Sequence, residues 1–302
     1  MSRIKTAISL MKTPGKMILP MADKGLFNWM PDEQYLKLVY HGQVGKKLNL
    51  NKTETFDEKL QWLKLYDRNP QYRKMVDKYE VKQYVANKIG DKYIIPTIGV
   101  WDSVETIPFE QLPNQFVLKC THDSGSVIIC KDKNTFDVDA ARKKLSNHMK
   151  KSIYWFGREW VYKDLKPRII AEPYLTDESG TELKDYKVHS FHGEPKIIQV
   201  DYGRYSEHKR NIYDCNWQYM DVSIKYPNDS DIHIQKPEKL DDMLRIAKIL
   251  SDGIPYVRVD FYSIFNKIYF GEMTFYHGSG YEVFTPESFE YEMGSWIELP
   301  KR

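Results

Sequence analysis

Val257-Arg258-Val259-Asp260-Phe261-Tyr262 and Lys267-Ile268-Tyr269-Phe270-Gly271-Glu272-Met273-Thr274 decide how this chain reads. Only Ser263, Ile264, Phe265 and Asn266 separate the two runs, so the pattern predicts an antiparallel hairpin. Alternation places Arg258, Asp260 and Tyr262 on one face of the first strand, and Glu272 and Thr274 on one face of the second. If pairing brings those faces together, two carboxylates, a hydroxyl and a guanidinium converge. Hard oxygen donors of this kind suit Mg²⁺, which takes one or two carboxylates and leaves its other positions to phosphates. Arg258 would then offset anionic charge that develops beside the metal. The same residues also admit a simpler reading, in which Arg258 pairs with Glu272 on a solvent-facing strand.

The surrounding 302 residues are enough for a large core divided into two or three lobes. The 45 basic and 42 acidic residues nearly cancel and are spread along the chain, which argues against nucleic acid as a partner. Three cysteines, Cys120, Cys130 and Cys215, form no CxxC pair, so a reduced, cytoplasmic setting without a zinc site is expected. No run has the length of a membrane span. Residues 3–12 are basic and mildly apolar, with Ile4, Ala7, Ile8 and Met11 on one side of a helix, and are cut off by Pro14 and Gly15. That stretch suits either weak membrane-surface association or docking on its own domain.

The chain carries no internal repeat. Up to residue 75 it reads helical, with capping-box spacing at Thr55 and Glu58 before the stripe Phe56, Leu60, Leu63. Asp77 and Glu80 repeat the offset before a helix that Gly90 stops. Strands are expected at Tyr93–Ile95, Gly99–Trp101, Phe116–Cys120, Val127–Cys130, Ile169–Leu175, Tyr186–Phe191 and Pro195–Val200. Helical stripes follow at Val138, Ala141, Leu145, Met149 and at Leu240, Met243, Ala247, Leu250. Strands and helices are interspersed without strict alternation, so α+β lobes with antiparallel sheets are expected.

Several constellations could carry chemistry. Lys119 ends an apolar strand before the turn Thr121-His122-Asp123-Ser124-Gly125-Ser126, whose N–H groups could hold a phosphate; a solvated edge lysine is the plain alternative. Glu172 sits inside the apolar run Ala171-Glu172-Pro173-Tyr174-Leu175, where a buried carboxylate must find a partner, either a structural Arg or Lys (Arg168, for example) or a ligand amine. The Pro173 carbonyl and the Leu175 N–H alternate acceptor and donor as the edge of an adenine requires. Lys187 could contact phosphate or form a surface ion pair with Asp185. Arg204 to Arg210 is a polar segment able to close over a γ-phosphate or an acidic substrate. The aromatic stretch Tyr154 to Tyr162 suits packing between lobes better than sugar stacking. No GxxxxGK[ST], GxGxxG, HExxH or histidine triad spacing occurs. Two Asp-x-Asp pairs, Asp137/Asp139 and Asp229/Asp231, leave a metal-dependent glycosyltransferase using a nucleotide-sugar as an alternative, the first pair being placed to cap a helix.

In order, Asp77-Lys78 through Gly90, Phe116-Val117-Leu118-Lys119 with its small-residue turn, Ile170 to Leu175, Arg258-Val259-Asp260 and Glu272-Met273-Thr274 resemble an ATP-grasp enzyme. Asp57-Glu58-Lys59-Leu60-Gln61-Trp62-Leu63-Lys64, Asp185-Tyr186-Lys187, Phe191-His192-Gly193 and Phe270 to Phe275 resemble its TupA-like branch, named for teichuronopeptide biosynthesis and found among capsule and polysaccharide genes. The resemblance covers roughly residues 45 to 300. It implies an ATP-grasp fold with ATP between two lobes: a helical region 1–75, a part 76–172 with the lid turn, and a part 173–302 with the Mg²⁺ site. It implies that Lys119 binds the α/β-phosphates, that Ser124, Gly125 and Ser126 form the lid, and that Glu172, Pro173, Tyr174 and Leu175 surround adenine. Asp260, Glu272 and, replacing the usual Asn, Thr274 would hold Mg²⁺. Arg258, with Lys187 and Arg204, would serve catalysis. The activity implied is an ATP-dependent carboxylate–amine ligase acting through an acyl-phosphate, with a uronic acid of a surface polysaccharide or its precursor and an amino acid or amine as substrates. ATP-grasp kinases are a further alternative.

Overall fold

The computed structural model describes residues 18–177, 183–203 and 208–301. The stretch expected to form an N-terminal helix at residues 3–12, and Arg204, lie outside them. Among the described residues five helices come first: α1 (Ile18–Asp23), α2 (Asp32–Val44), α3 (Phe56–Tyr66), α4 (Tyr72–Val76) and α5 (Glu80–Ile89). The capping box at α3 forms as the spacing predicts, with Thr55 accepting from the Glu58 N–H and Glu58 reaching back. At α5 only half of it forms. Asp77 Oδ1 accepts from the N–H groups of Tyr79 and Glu80, but the Glu80 side chain turns to Arg168 instead.

A first sheet is built from β1 (Gly99–Trp101), β2 (Phe116–Cys120), β3 (Ile128–Cys130) and β4 (Ile169–Pro173), in the order β1-β4-β2-β3 and antiparallel throughout. Helix α6 (Val138–Met149) covers it, and Leu118, Leu145 and Ile169 close its core. The strand expected at Tyr93–Ile95 is instead a 3₁₀ turn over Asp91–Tyr93, where the chain leaves α5 through Gly90 at φ 98°. The short helix α7 (Tyr154–Gly157) opens the aromatic stretch. Its Tyr154 donates to Asp32 and its Phe156 carbonyl accepts from Tyr35, so these aromatics pack on the N-terminal helices.

The second sheet has the order β11-β10-β5-β6-β7-β8, again antiparallel: β5 (Asp185–Phe191), β6 (Glu194–Tyr202), β7 (Lys209–Asp214), β8 (Tyr219–Met220), β10 (Val257–Ile264) and β11 (Lys267–Thr274). A two-stranded ribbon joins β9 (Ser223–Ile224) to β12 (Phe284–Thr285). Helix α8 (Leu240–Leu250) packs on β5, β6 and β10, and α9 (Ser288–Ser295) packs on α3. One core joins Tyr35, Leu60, Val188, Ile246, Val259 and Met293, so the N-terminal helices and the second sheet bury the same apolar surface.

The β10–β11 connection is tighter than its sequence suggests. Strand β10 continues through Ser263 and Ile264, leaving only Phe265 and Asn266 in the turn, both at positive φ (45° and 60°), as a two-residue hairpin turn demands. Further along, Asp260 pairs with Glu272 but Phe261 pairs with Phe270, so Gly271 is an extra residue in β11. That bulge flips the parity of the strand. Phe270 enters the core beside Phe261, while Glu272 joins Asp260 on the other face. A Cβ at Gly271 would stand 3.1 Å from the Asp260 carbonyl oxygen, a close approach that favours glycine there.

Candidate active site

The register of the second sheet places one polar face across five strands. Arg258 lies between Thr274 and His189, Asp260 between Glu272 and Lys187, and Tyr262 opposite Asp185. Lys187 is next paired with Gln199, Asp185 with Asp201, and Asp201 with Arg210. Most of this face is buried, so its charges must be matched one against another. Arg258 grips Asp260 at two points, Nε to Oδ1 and an Nη to Oδ2, both 2.7 Å, and reaches Glu272 Oε1 at 3.2 Å. Lys187 Nζ lies 3.0 Å from both Asp260 Oδ2 and Asp185 Oδ2. Arg210 Nε holds Asp201 at 2.7 Å, and Gln199 holds the other oxygen at 3.0 Å.

Burial alone would raise the pKa of Asp260, but Arg258 and Lys187 outweigh it and hold the carboxyl down to about 2. Glu272 differs from its neighbour: its side chain keeps 44% of its exposure, and the Thr274 hydroxyl is 3.4 Å from its Oε1. Both readings of the hairpin therefore meet here. Arg258 does pair with Glu272, and the two carboxylates do converge with it. Among the described residues no group of three or more His, Cys, Asp or Glu side chains is gathered as a metal site. A pair of carboxylates beside a hydroxyl is nevertheless the donor set that fits Mg²⁺, whose remaining positions go to phosphate oxygens and water.

The opposite wall comes from the first sheet. Glu172 is buried between two cations, Lys82 Nζ at 2.6 Å and Lys119 Nζ at 2.5 Å. Burial would raise its pKa, but the two lysines more than offset it and the carboxyl stays ionised. Arg168, the example that sequence offered, pairs with Glu80 instead; the structural cations that hold Glu172 are lysines, of which sequence reasoning did not single out Lys82. Lys119, which sequence left either solvated or on a phosphate, is an ion-paired wall residue. A cavity of about 460 Å³ separates the sheets, with Lys119, Glu172 and Tyr174 on one side and Asp185, Asp201 and Tyr262 on the other. Pro173 and Leu175 also line it, Leu175 beyond the end of β4 where its N–H leaves the ladder.

The expected lid divides. Ser124 and Gly125 are exposed, but the Ser126 hydroxyl is buried, donating to Asp123 Oδ1 at 2.6 Å and accepting from the Cys120 N–H at 2.8 Å. Asp123 is bonded in turn to His148, and its carbonyl accepts from Lys78. Lys187 does pair with Asp185, as its spacing suggested, but the pair is buried rather than on the surface. Of the Arg204–Arg210 cations, Arg210 is buried on Asp201 and Lys209 pairs with Asp229. That pairing, with Asp229 also accepting from the Asp231 N–H, occupies the second Asp-x-Asp; Asp137 of the first caps α6. Sequence reasoning also missed His277 and His189. His277 Nδ1 lies 2.8 Å from a guanidinium nitrogen of Arg258, and His189 stands edge-on to His277 at 5.0 Å.

Residues 58–298 match the family described as TupA-like ATPgrasp. The chain belongs to the TupA-like ATP-grasp family. The expected α+β ATP-grasp architecture is the one observed. No curated protein is detectably similar to this member of the family. Solved structures similar to it include the D-alanine–D-alanine ligase of Bacillus anthracis complexed with ATP, at 14% identity over 66% of this chain and 53% of that one, TM-score 0.38. The D-alanine–D-alanine ligase of Helicobacter pylori is 16% identical over 80% and 69%, TM-score 0.39. The ADP complex of the N5-carboxyaminoimidazole ribonucleotide synthetase purK is 19% identical over 79% and 56%, TM-score 0.41. This TupA-like chain spans from about half to about two thirds of the length of those proteins (53%, 69% and 56%). No helix among the described residues is long and apolar enough to cross a membrane.

Proposed function

We propose that this protein is an ATP-dependent carboxylate–amine ligase. One observation carries the reading: the Lys119–Glu172 wall and the Asp260–Arg258–Glu272 cluster belong to two sheets that face each other across one cavity. In this reading the cavity takes ATP, with adenine against Pro173, Tyr174 and Leu175 and the phosphates toward Lys119 and the 121–126 turn. Asp260 and Glu272 would hold Mg²⁺, which supplies charge neutralisation for the transferring phosphoryl group.

The substrate carboxylate attacks the γ-phosphorus, the bond to the bridging oxygen breaks, and ADP leaves. The acyl-phosphate so formed is attacked at its carbonyl carbon by an amine. The tetrahedral adduct expels phosphate, the nitrogen loses a proton, and an amide remains. Arg258 is fixed by Asp260 and His277, so its guanidinium is already oriented where negative charge accumulates. Lys187, committed to two carboxylates, holds Asp260 in place and keeps it ionised.

Family membership supports a surface-polysaccharide uronic acid, or its precursor, as the acid and an amino acid or amine as its partner, handled in the cytoplasm. The three parts 1–75, 76–172 and 173–302 are the units we assign to this assembly. The test is ADP release from Mg-ATP with a panel of uronic acids and amino acids. Release that needs both acid and amine is expected. Release with neither, or with a hydroxyl acceptor alone, overturns the ligase reading, and the second outcome identifies a kinase.

A further inference from the structure

The turn at residues 121–126 is free only at its tip. Thr121, His122, Asp123 and Ser126 are buried, and Ser124 and Gly125 are exposed between them. Among the described residues no acceptor takes the N–H of Ser124 or Gly125. Gly125 stands at φ 86°, the left-handed backbone found where successive N–H groups converge on an anion. We propose that the C-terminal end of α6 positions this tip, with His148 as the residue that sets it through Asp123. The proposal rests on the ligase reading, in which the phosphates of the nucleotide meet the turn. It adds a positioning residue that lies outside the turn and touches neither substrate nor metal.

Turn and helix hold each other reciprocally. A carboxylate only accepts, so the proton shared by His148 Nδ1 and Asp123 Oδ2 is donated by the imidazole. In return the His122 ring donates to the Lys151 carbonyl oxygen, 3.2 Å from Nε2, and bonds to the backbone of His148. Lys144, one turn earlier on the same face of α6, donates to the Val127 carbonyl oxygen at 2.8 Å and so holds the far end of the turn. A Cβ on Gly125 would come within 4.0 Å of His148 Cε1, so the imidazole lies beside the tip. The helix is itself fixed, since Ala141 and Leu145 are buried in the core of the first sheet.

A free carboxylate at Asp123 would be the wrong charge beside phosphates. Its Oδ1 is occupied by the Ser126 hydroxyl and its Oδ2 by the His148 ring, while its carbonyl accepts from Lys78. The Ser126 oxygen accepts in turn from the N–H of Cys120, at the end of the strand that carries Lys119. Loss of the His148 donor would leave one carboxylate oxygen unpaired next to the tip and would loosen the two N–H groups that the turn presents. Both effects weaken a grip on phosphate, because pre-organisation is lost and like charge is gained. Neither reaches Pro173, Tyr174 and Leu175, which lie on another strand of the sheet and beyond its end.

Calorimetric titration of the whole protein with Mg-ATP, and separately with adenosine, tests this. His148→Ala should weaken Mg-ATP binding by about tenfold or more and adenosine binding by less than about twofold. His148→Asn should recover most of the loss, because its amide nitrogen can donate where Nδ1 does. Ser126→Ala frees the other Asp123 oxygen without touching α6 and should show the same selectivity. The His148 side chain keeps 22% of its exposure, so His148→Ala should fold, and its melting temperature checks that. Should it not fold, Ser126→Ala decides by the same two ligands. Unchanged Mg-ATP affinity, equal losses for Mg-ATP and adenosine, or His148→Asn as weak as His148→Ala overturns the proposal and leaves the ligase reading standing. No Mg-ATP binding by the wild-type protein overturns the ligase reading and takes the proposal with it.

Discussion

Lys119 Nζ sits 2.5 Å from Glu172 Oε2, so the cation assigned to the nucleotide's phosphates is held by the carboxylate assigned to its adenine end. Lys82 shares the same carboxyl group. Removing the charge with Glu172→Gln would leave two largely buried ammonium groups without a counter-charge. Breaking such a cluster from one side costs about 3 kcal/mol. The melting temperature of the apo protein should fall accordingly. Mg-ATP brings phosphate charge back to Lys119, so its stabilising shift should be larger in the variant than in wild type. Equal shifts in the two proteins would break the link between Lys119 and the nucleotide.

The pH dependence of stability should report His189. Its Nδ1 is 2.9 Å from the Tyr256 hydroxyl and its Nε2 3.2 Å from Gln199 Oε1, an arrangement that fits a neutral ring accepting at one nitrogen and donating at the other. Burial, reinforced by Arg258, lowers its pKa to about 3. In the unfolded chain it titrates near the ordinary value of about 6.5. Between these pH values the unfolded state binds more protons, so stability rises with pH across the window and is lost as pH falls through it. The full effect is on the order of 5 kcal/mol. Asp260, with its lowered pKa, adds loss in the same direction below about pH 4. Urea unfolding from pH 7 to pH 4 should therefore show a steep acid limb, and His189→Gln should flatten it. A variant as steep as wild type would show that another group carries the slope.

The two hairpin carboxylates and Arg258 were legible in the sequence because alternation along β10 is strict and carries them to one face. The bulge at Gly271 was not, since period-two reasoning has no way to insert an extra residue. It changed the fate of Phe270, which turned into the core. The partners of Glu172 were hidden for a different reason. Lys82 lies on α5 and Lys119 on β2, 37 residues apart in sequence, and only tertiary contact brings both to one carboxylate. His277 and His189 stayed invisible because each acts through a neighbour chosen by tertiary contact, not by spacing. The helical stripes of α3, α6 and α8 were readable, since burial of one face imposes the 3.6-residue period wherever the helix docks. The expected strand at Tyr93–Ile95 failed because Gly90 turns the chain before it can enter a ladder.

Asp260 and Glu272 pair across β10 and β11 but should answer mutation differently. Asp260 is buried under Arg258 and Lys187, and Asp260→Asn uncovers both, at a cost of about 3 kcal/mol to the fold. Glu272 is half exposed, with one contact to Arg258 and a long one to the Thr274 hydroxyl, so Glu272→Gln should melt near the wild-type temperature. Both variants should lose most of the melting shift that Mg-ATP produces, and Glu272→Gln should lower turnover by roughly a hundredfold. Retention of the full shift and turnover in Glu272→Gln would remove it from the metal site.

The last prediction concerns the loop that presents His277 to Arg258. Residues His277–Gly280 form a 3₁₀ turn in which Gly278, Ser279 and Gly280 all have positive φ. Two side chains of α3 clamp it: Gln61 Nε2 donates to the carbonyls of Ser279 and Gly280, and the buried Lys64 donates to the carbonyl and hydroxyl oxygens of Ser279. A Cβ on Gly280 would meet Gln61 Nε2 at 2.4 Å and the Asp57 carbonyl oxygen at 3.3 Å. Gly280→Ala must therefore push the turn off its clamp as well as strain a left-handed residue, at about 2 kcal/mol. Displacement of His277 would release Arg258 from one of its three side-chain partners, leaving Asp260 and Glu272. Turnover should fall by on the order of tenfold or more while Mg-ATP affinity changes little, because the nucleotide cavity is built elsewhere. Gly253→Ala is the control: it too has positive φ, at 71°, but a Cβ there meets nothing within 4 Å. It should show the backbone strain, about 1 kcal/mol, with turnover intact. Equal turnover losses in the two variants would mean that the turn does not position Arg258.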